Sequence, residues 1–212
     1  MTIAHIYYTQ FNQPLSPDLF KTYLHTLPTD LQHKVQRFVR WQDQHASLFA
    51  RLLLQEALQP YQLTLQQIRY TEYQRPYIYH SPDFNVAHSG EYVICAIMEQ
   101  GRIGIDIEKI RPVEMQHFTS IFSSNQQQAL AQAANKLDLF FKFWTQKESA
   151  IKADGRGLNI ELDTIESINN QVQLEHTWFL HEMTHFLPDY ACHLATDQQD
   201  INVKFQQKYF YE

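Results

Sequence analysis

Arg102-Ile103-Gly104-Ile105-Asp106-Ile107-Glu108 alternates without a break. In a strand, Ile103, Ile105 and Ile107 take one face, and Gly104, Asp106 and Glu108 take the other. The two carboxylates therefore point the same way, about 6.5 to 7 Å apart along the backbone, a span their side chains can close around one hard cation. An ordinary half-buried strand with an acidic outer face gives the same pattern. Gly104, without a side chain beside the two acids, is expected to leave room for a ligand.

Downstream, Leu137 to Lys152 reads LDLFFKFWTQKESAIK. At helical spacing Phe140, Phe141, Trp144 and Ile151 fall within a stripe about 100° wide that should face the core. Glu148, about three turns plus 20° beyond Leu137, comes near the centre of that stripe. Charged groups seldom point inward unless they are paired or ligate a metal. An i,i+4 salt bridge to Lys152 would account for the lysine without explaining the inward glutamate. Gly155 and Gly157 then stop the helix, and Arg156 between them sits where a loop could present a cation. A helix C-cap alone would account for one of these glycines.

Farther out, Ser16-Pro17 has the form of a helix start, with the helix running to about Leu27. From Thr29 to Leu58 the residues Leu31, Val35, Phe38, Val39, Leu48, Leu52, Leu53 and Ala57 recur at helical intervals, with Asp43 as a candidate cap for a second helix. Beyond Pro60, IRYTEY, RPYIYH, FNVAH and YVICAIM read as strands punctuated by Ser81-Pro82 and Ser89-Gly90. The second half repeats that order loosely: a strand at 102–108, a helix after Ser123-Ser124, a longer helix from about Lys136 to Ala153, then strands. EYVICAIM and DYACHLAT are the local support for an internal duplication. The expected fold is α+β, with subdomains at 1–101 and 102–212 meeting at a tight junction near Gln100-Gly101.

With 212 residues, 44% hydrophobic and 14% aromatic, the chain is excluded from intrinsic disorder. Its 17 Lys plus Arg against 23 Asp plus Glu give a net charge of -6, the wrong sign for coating nucleic acid, so an anionic ligand must meet a local basic patch. Two cysteines, Cys95 and Cys192, make no disulfide scaffold or zinc ribbon and suit a reducing compartment. Without a leader-like start or an apolar run of about 18 residues, a cytoplasmic protein with no nucleic-acid or membrane partner is expected. His181-Glu182-Met183-Thr184-His185 matches the zinc-protease pattern HExxH, but strand-like Thr177-Trp178-Phe179 before it and Pro188 after it leave no room for the required helix.

Three stretches in order, Phe84-Asn85-Val86-Ala87-His88-Ser89-Gly90, Gly104-Ile105-Asp106-Ile107-Glu108, and Phe143-Trp144-Thr145-Gln146-Lys147-Glu148-Ser149-Ala150-Ile151-Lys152 with Gly155-Arg156-Gly157-Leu158, resemble the signature motifs of surfactin-type 4'-phosphopantetheinyl transferases. That resemblance implies a pseudo-twofold pair of α+β subdomains, each with a small antiparallel sheet on helices, and a coenzyme A site in the cleft between them. It implies Mg²⁺-dependent transfer of 4'-phosphopantetheine from coenzyme A to a serine of an apo acyl- or peptidyl-carrier protein, releasing adenosine 3',5'-bisphosphate, by a monomer. Such members serve peptide, polyketide or siderophore assembly lines.

Asp106, Glu108 and Glu148 correspond to the family's magnesium ligands, with Glu148, Lys152 and His88 as catalytic residues. His88, Ser89, Asp106, Lys147 and Lys152 fall in its coenzyme-contacting motifs, Arg75-Pro76 resembles its basic-Pro element, and Lys34, Arg37 and Arg40 lie where it draws further phosphate contacts. Where the family usually has Gly-Lys-Pro this chain has Gln74-Arg75-Pro76, and Leu31 and Ala46 stand where relatives often carry basic residues. A degenerate relative that binds coenzyme A or a carrier protein without turnover, and a magnesium-dependent pyrophosphate hydrolase, are the alternative functions.

Overall fold

A computed structural model describes residues 2–80, 82–183 and 189–211. Strand β1 (Thr2–Gln10) opens the chain, in a stretch for which the sequence pattern predicts no element. Helix α1 (Pro17–His25) begins as expected, with the Ser16 side chain accepting from the Leu19 amide and Pro17 at the first helical position. Helices α2 (Thr29–Gln36) and α3 (Trp41–Leu58) follow. The break between them leaves Phe38 45% and Val39 100% exposed, so the apolar spacing that assigns both to a buried stripe fails where the helix itself is interrupted. Arg40 caps α3 without a side-chain bond, and Asp43 lies in the first turn rather than at the cap.

The next strands are β2 (Arg69–Tyr70), β3 (Pro76–Tyr77), β4 (Asp83–Ser89), β5 (Tyr92–Met98) and β6 (Ile103–Lys109). IRYTEY and RPYIYH thus contract to a two-residue pair each, because a turn closed by Gln74 N donating to Thr71 O takes up the intervening residues. Helices α4 (Ser124–Gln132) and α5 (Lys136–Asp154) come next, the first carrying a capping box from Ser123 and Gln126. Strands β7 (Ser167–Ile168), β8 (Gln171–Gln173), β9 (Thr177–Glu182), β10 (Tyr190–Thr196) and β11 (Ile201–Gln207) complete the chain. His181 and Glu182 end a strand, which excludes the helical zinc site; Thr184, His185 and Pro188 lie outside the described residues.

Two antiparallel cores share one connectivity. The first sheet runs β11-β1-β5-β4 and the second β6-β10-β9-β8-β7. In the first, β1 is followed by α3 and then by the β4/β5 hairpin; in the second, β6 is followed by α5 and then by β9 and β10. EYVICAIM and DYACHLAT occupy equivalent strands, β5 and β10, in the two units. The final strand breaks the symmetry: β11 pairs in parallel with β1, so the end of the chain completes the sheet of the first half.

The isoleucine face of β6 packs with Cys192 and Leu194 against Ala4, Ile6, Ile94 and Met98 of the first sheet, forming the layer between the sheets. Outside it, α3 covers the first sheet with Leu48, Phe49 and Leu53, and α5 covers the second with Ala150, Ile151 and Ala153. The Gly104, Asp106, Glu108 face of β6 therefore looks toward α5.

The space beside Gly104 is filled by that helix rather than open to a ligand: a β-carbon there would lie 2.2 Å from Ser149 O and 2.3 Å from Ala153 N. The buried side of α5 is correspondingly wider than the apolar stripe, taking in Thr145, Gln146, Lys147 and Ser149, and Glu148 sits half-buried at its rim, not its centre. Small and polar residues allow the close approach, and a hydrophobicity pattern does not register them.

Beneath α5, His193 is 1% exposed and its Nδ1 lies 2.8 Å from Thr145 Oγ1. Burial, with Lys142 aiding and Glu182 opposing, lowers its pKa to about 4. The unfolded chain binds this proton near pH 6.5 and the folded one only near 4, so the contribution is complete above pH 6.5 and is lost as pH falls. Stability should decline by up to about 1.4 kcal/mol per pH unit from this group between pH 6 and 4.5. Urea unfolding of the parent and of His193→Gln across that range checks it: the parent should fall more steeply.

A candidate active site on the seam between the sheets

Strand β4 edges the first sheet and β6 the second, and side chains of one replace the backbone partner of the other. Asp83 Oδ2 accepts from Ile103 N at 2.8 Å, Asn85 Oδ1 from Ile105 N at 3.0 Å and Ser89 Oγ from Lys109 N at 3.1 Å. Asp83, Asn85 and Ser89 share the parity of a strand face, which is how one seam can register both sheets. Sequence reading misses Asp83 and Asn85; their signal is the polar phase of β4 beside the isoleucine phase of β6.

Asp106, 5% exposed, receives Lys152 Nζ on Oδ1 at 2.6 Å. Its Oδ2 is buried without a hydrogen-bond partner. Burial raises the Asp106 pKa to about 7 against the pull of Lys152, and Glu108 and Glu148 push it the same way as burial. Glu148 is raised by burial, opposed by Lys152 and reinforced by Glu108. For Lys152 burial favours the neutral amine, but Asp106, Glu148 and Glu108 outweigh it and lift its pKa. Three carboxylates and one ammonium therefore form a single electrostatic cluster.

Glu108 Oε2 accepts from Ser89 Oγ at 2.7 Å. Among the described residues no set of three His, Cys, Asp or Glu side chains is gathered closely enough to hold a metal ion: Lys152 provides the positive charge amid the acids, and Ser89 takes one Glu108 oxygen.

Two cavities adjoin the cluster. One, of about 480 Å³, is lined by Arg40, Trp41, His88, Ser89, Lys109 and Arg111 among others; the second, of about 240 Å³, is lined by Tyr73, Arg75, Pro76, Asn85, Glu148 and Lys152 among others. His88 belongs to the first and is linked electrostatically to the acids: desolvation by the surrounding walls and then Lys152 lower its pKa, while Asp43 and Glu108 act against them.

The other expected residues distribute unevenly. Arg40 reaches the first cavity and lies 3.8 Å from Asp43, whereas Lys34 stacks over the Tyr70 ring at 5.5 Å and Arg37 ends α2 on the surface. Lys147 is not brought to either cavity: at 1% exposure it donates to Leu162 O at 2.9 Å and to Ile165 O, and lies over the Phe122 ring. Arg156, placed by sequence as a loop cation, is engaged by Asp154 and Glu175. Arg75 is buried in ion pairing with Asp83.

A buried and two half-buried acids held against a lysine on a seam, beside a cavity carrying arginine and histidine, make up a site suited to a phosphate-bearing substrate. Comparison with known sequences narrows this class. The profile described as 4'-phosphopantetheinyl transferase superfamily matches residues 102–202, and that described as 4'-phosphopantetheinyl transferase, N-terminal, matches 13–100. The 4'-phosphopantetheinyl transferase Sfp of Bacillus subtilis (strain 168) is 34% identical over 166 residues, 75% of this chain and 74% of its own. The 4'-phosphopantetheinyl transferase gsp of Aneurinibacillus migulanus is 35% identical over 150 residues, 67% of this chain and 63% of its own. The holo-[acyl-carrier-protein] synthase structure from Thermotoga maritima overlaps 45% of this chain and 61% of its own, at 16% identity and TM-score 0.37. The chain belongs to the surfactin-type 4'-phosphopantetheinyl transferase family, and is an enzyme of that kind.

Proposed function

We propose that this enzyme moves the 4'-phosphopantetheine arm of coenzyme A to a serine hydroxyl of an apo acyl- or peptidyl-carrier protein, with Mg²⁺, releasing adenosine 3',5'-bisphosphate. The observation that carries the reading is the Asp106–Lys152 pair at 2.6 Å, coupled to Glu108 and Glu148 between two cavities, one of them bearing His88 and Arg40. The hard carboxylate oxygens of Asp106, Glu108 and Glu148, with Asp106 Oδ2 unpartnered, suit Mg²⁺ in chemistry but not yet in spacing, and the three would hold the ion only once it draws their side chains together. When bound, the ion neutralises pyrophosphate oxygens and polarises the phosphorus.

The chain's own residues do the rest. Arg40 and His88 receive phosphate oxygens at the larger cavity. Glu148, its pKa raised by burial, accepts the proton of the attacking serine as the Oγ–P bond forms. The P–O bond to adenosine 3',5'-bisphosphate breaks, and Lys152 stabilises the charge that develops on the departing phosphate. No helix among the described residues is long and apolar enough to cross a membrane. A monomer acting in the cytoplasm on the carriers of peptide, polyketide or siderophore assembly lines is the proposed setting.

Incubation with coenzyme A, Mg²⁺ and a panel of apo carriers, each then weighed intact, tests the reading. At least one carrier should gain the phosphopantetheine mass with equimolar adenosine 3',5'-bisphosphate. Release of that nucleotide without any carrier would instead mark a hydrolase. Asp106→Ala should load at less than about one tenth of the parental rate even in excess Mg²⁺; a parental rate would overturn the metal assignment.

A further inference from the structure

The departure from Gly-Lys-Pro at Gln74-Arg75-Pro76 has a distinct structural content. Arg75 has a side-chain exposure of 6% and meets Asp83, at 12%, with Nη1 to Oδ1 at 2.8 Å and Nη2 to Oδ2 at 2.6 Å. Nε donates to Lys152 O at 2.9 Å, Nη2 also to Ile103 O at 3.1 Å, and Nη1 to Pro76 O at 3.5 Å. All five guanidinium N–H groups are thereby engaged, leaving none for a phosphate. The backbone is fixed as well, with Thr71 N donating to Arg75 O and Arg75 N to Thr71 Oγ1. Gly155, at φ +92°, makes way for it: a β-carbon there would lie 2.4 Å from Arg75 Cδ. Asp83 in turn accepts from Ile103 N at the head of β6.

We infer that the Arg75 guanidinium, at the wall of the smaller cavity, is a positioning group rather than a phosphate ligand: with Asp83 it clamps the C-terminal turn of α5 to β4 and β6, and so holds Lys152 on Asp106. A lysine, with three N–H groups on a single nitrogen, cannot make these five contacts, so the residue usual in the family is the wrong one in this chain. The consequence for rate rests on the transferase function proposed above; the clamp itself does not.

The experiment compares the parent with Arg75→Lys, Arg75→Gln and Asp83→Asn. Calorimetric titration with coenzyme A gives affinity and counts folded sites, and single-turnover carrier loading gives a first-order constant independent of how much protein is folded. Arg75→Lys and Asp83→Asn should each slow that constant about tenfold, with affinity within about twofold and unchanged stoichiometry, as expected when a catalytic group is displaced while the coenzyme keeps its own partners. Amide exchange of Ile103 and Gly155 should accelerate in both variants. A parental rate in Arg75→Lys, or a tenfold loss of affinity at unchanged rate in Arg75→Gln, overturns the proposal. If the parent binds coenzyme A yet loads no carrier, the transferase reading fails separately, and the clamp stands or falls on amide exchange alone.

Discussion

Lys152→Met is expected to reduce carrier loading by about three orders of magnitude, the largest single loss among these substitutions, because it deletes the charge that faces the acids and, in the proposed reaction, the leaving phosphate. The same change strips Asp106 of its 2.6 Å partner at a site 5% exposed. Breaking a buried pair from one side costs about 3 to 5 kcal/mol while the remaining charge stays ionised, so the loss is to be read well above pH 7, where Asp106 does not escape it by taking up a proton. The two losses separate in a double variant. Lys152→Met with Asp106→Asn removes the stranded charge and should recover most of the thermal stability, while loading stays at the level of the single variant. Intact-mass loading assays and thermal unfolding on the four proteins of this cycle decide it. Loading by the double variant equal to that of Asp106→Asn alone would mean that Lys152 acts only through folding.

The residues that define the site differ in how well position can be inferred from type. RIGIDIE yields both the strand and its two faces, because a period of two fixes which side chains point together whatever lies above them. The chemical identity of Glu148 on α5 is equally plain, but its placement is not: the helix packs through Thr145, Ser149 and Ala153, which no apolar stripe reveals, so the pattern centres Glu148 on a face whose rim it occupies. Arg75, Lys147 and Arg156 show a deeper limit. Each is a cation in or beside a motif, yet each has its donors taken by Asp83, by main-chain carbonyls or by Asp154, and such pairing depends on how the chain folds around it. The return of β11 to β1 is invisible for a related reason, as parallel pairing between the two ends of a chain leaves no local pattern.

Gly104 decides how near α5 can lie to β6, and its replacement tests that contact more severely than any change at the rim. The nearest atoms to a β-carbon there, Ser149 O at 2.2 Å and Ala153 N at 2.3 Å, are helix backbone, which cannot turn aside as a side chain does. Gly104→Val must therefore push the helix off the strand or bend β6, and either movement also draws Lys152 away from Asp106, two residues along the same face. Overpacking of this kind in a core costs about 3 kcal/mol or more, which for a chain of this size lowers the melting temperature by roughly 6 to 12 °C. Loading should fall at least about a hundredfold, because displacement of a catalytic group by about 1 Å suffices for such a loss. Thermal unfolding and single-turnover loading of Gly104→Ala beside Gly104→Val check the contact, with alanine already harmful and valine worse. If alanine leaves both quantities at parental values, helix and strand are not in backbone contact, and the glycine is there for the ligand space that the strand pattern alone suggests.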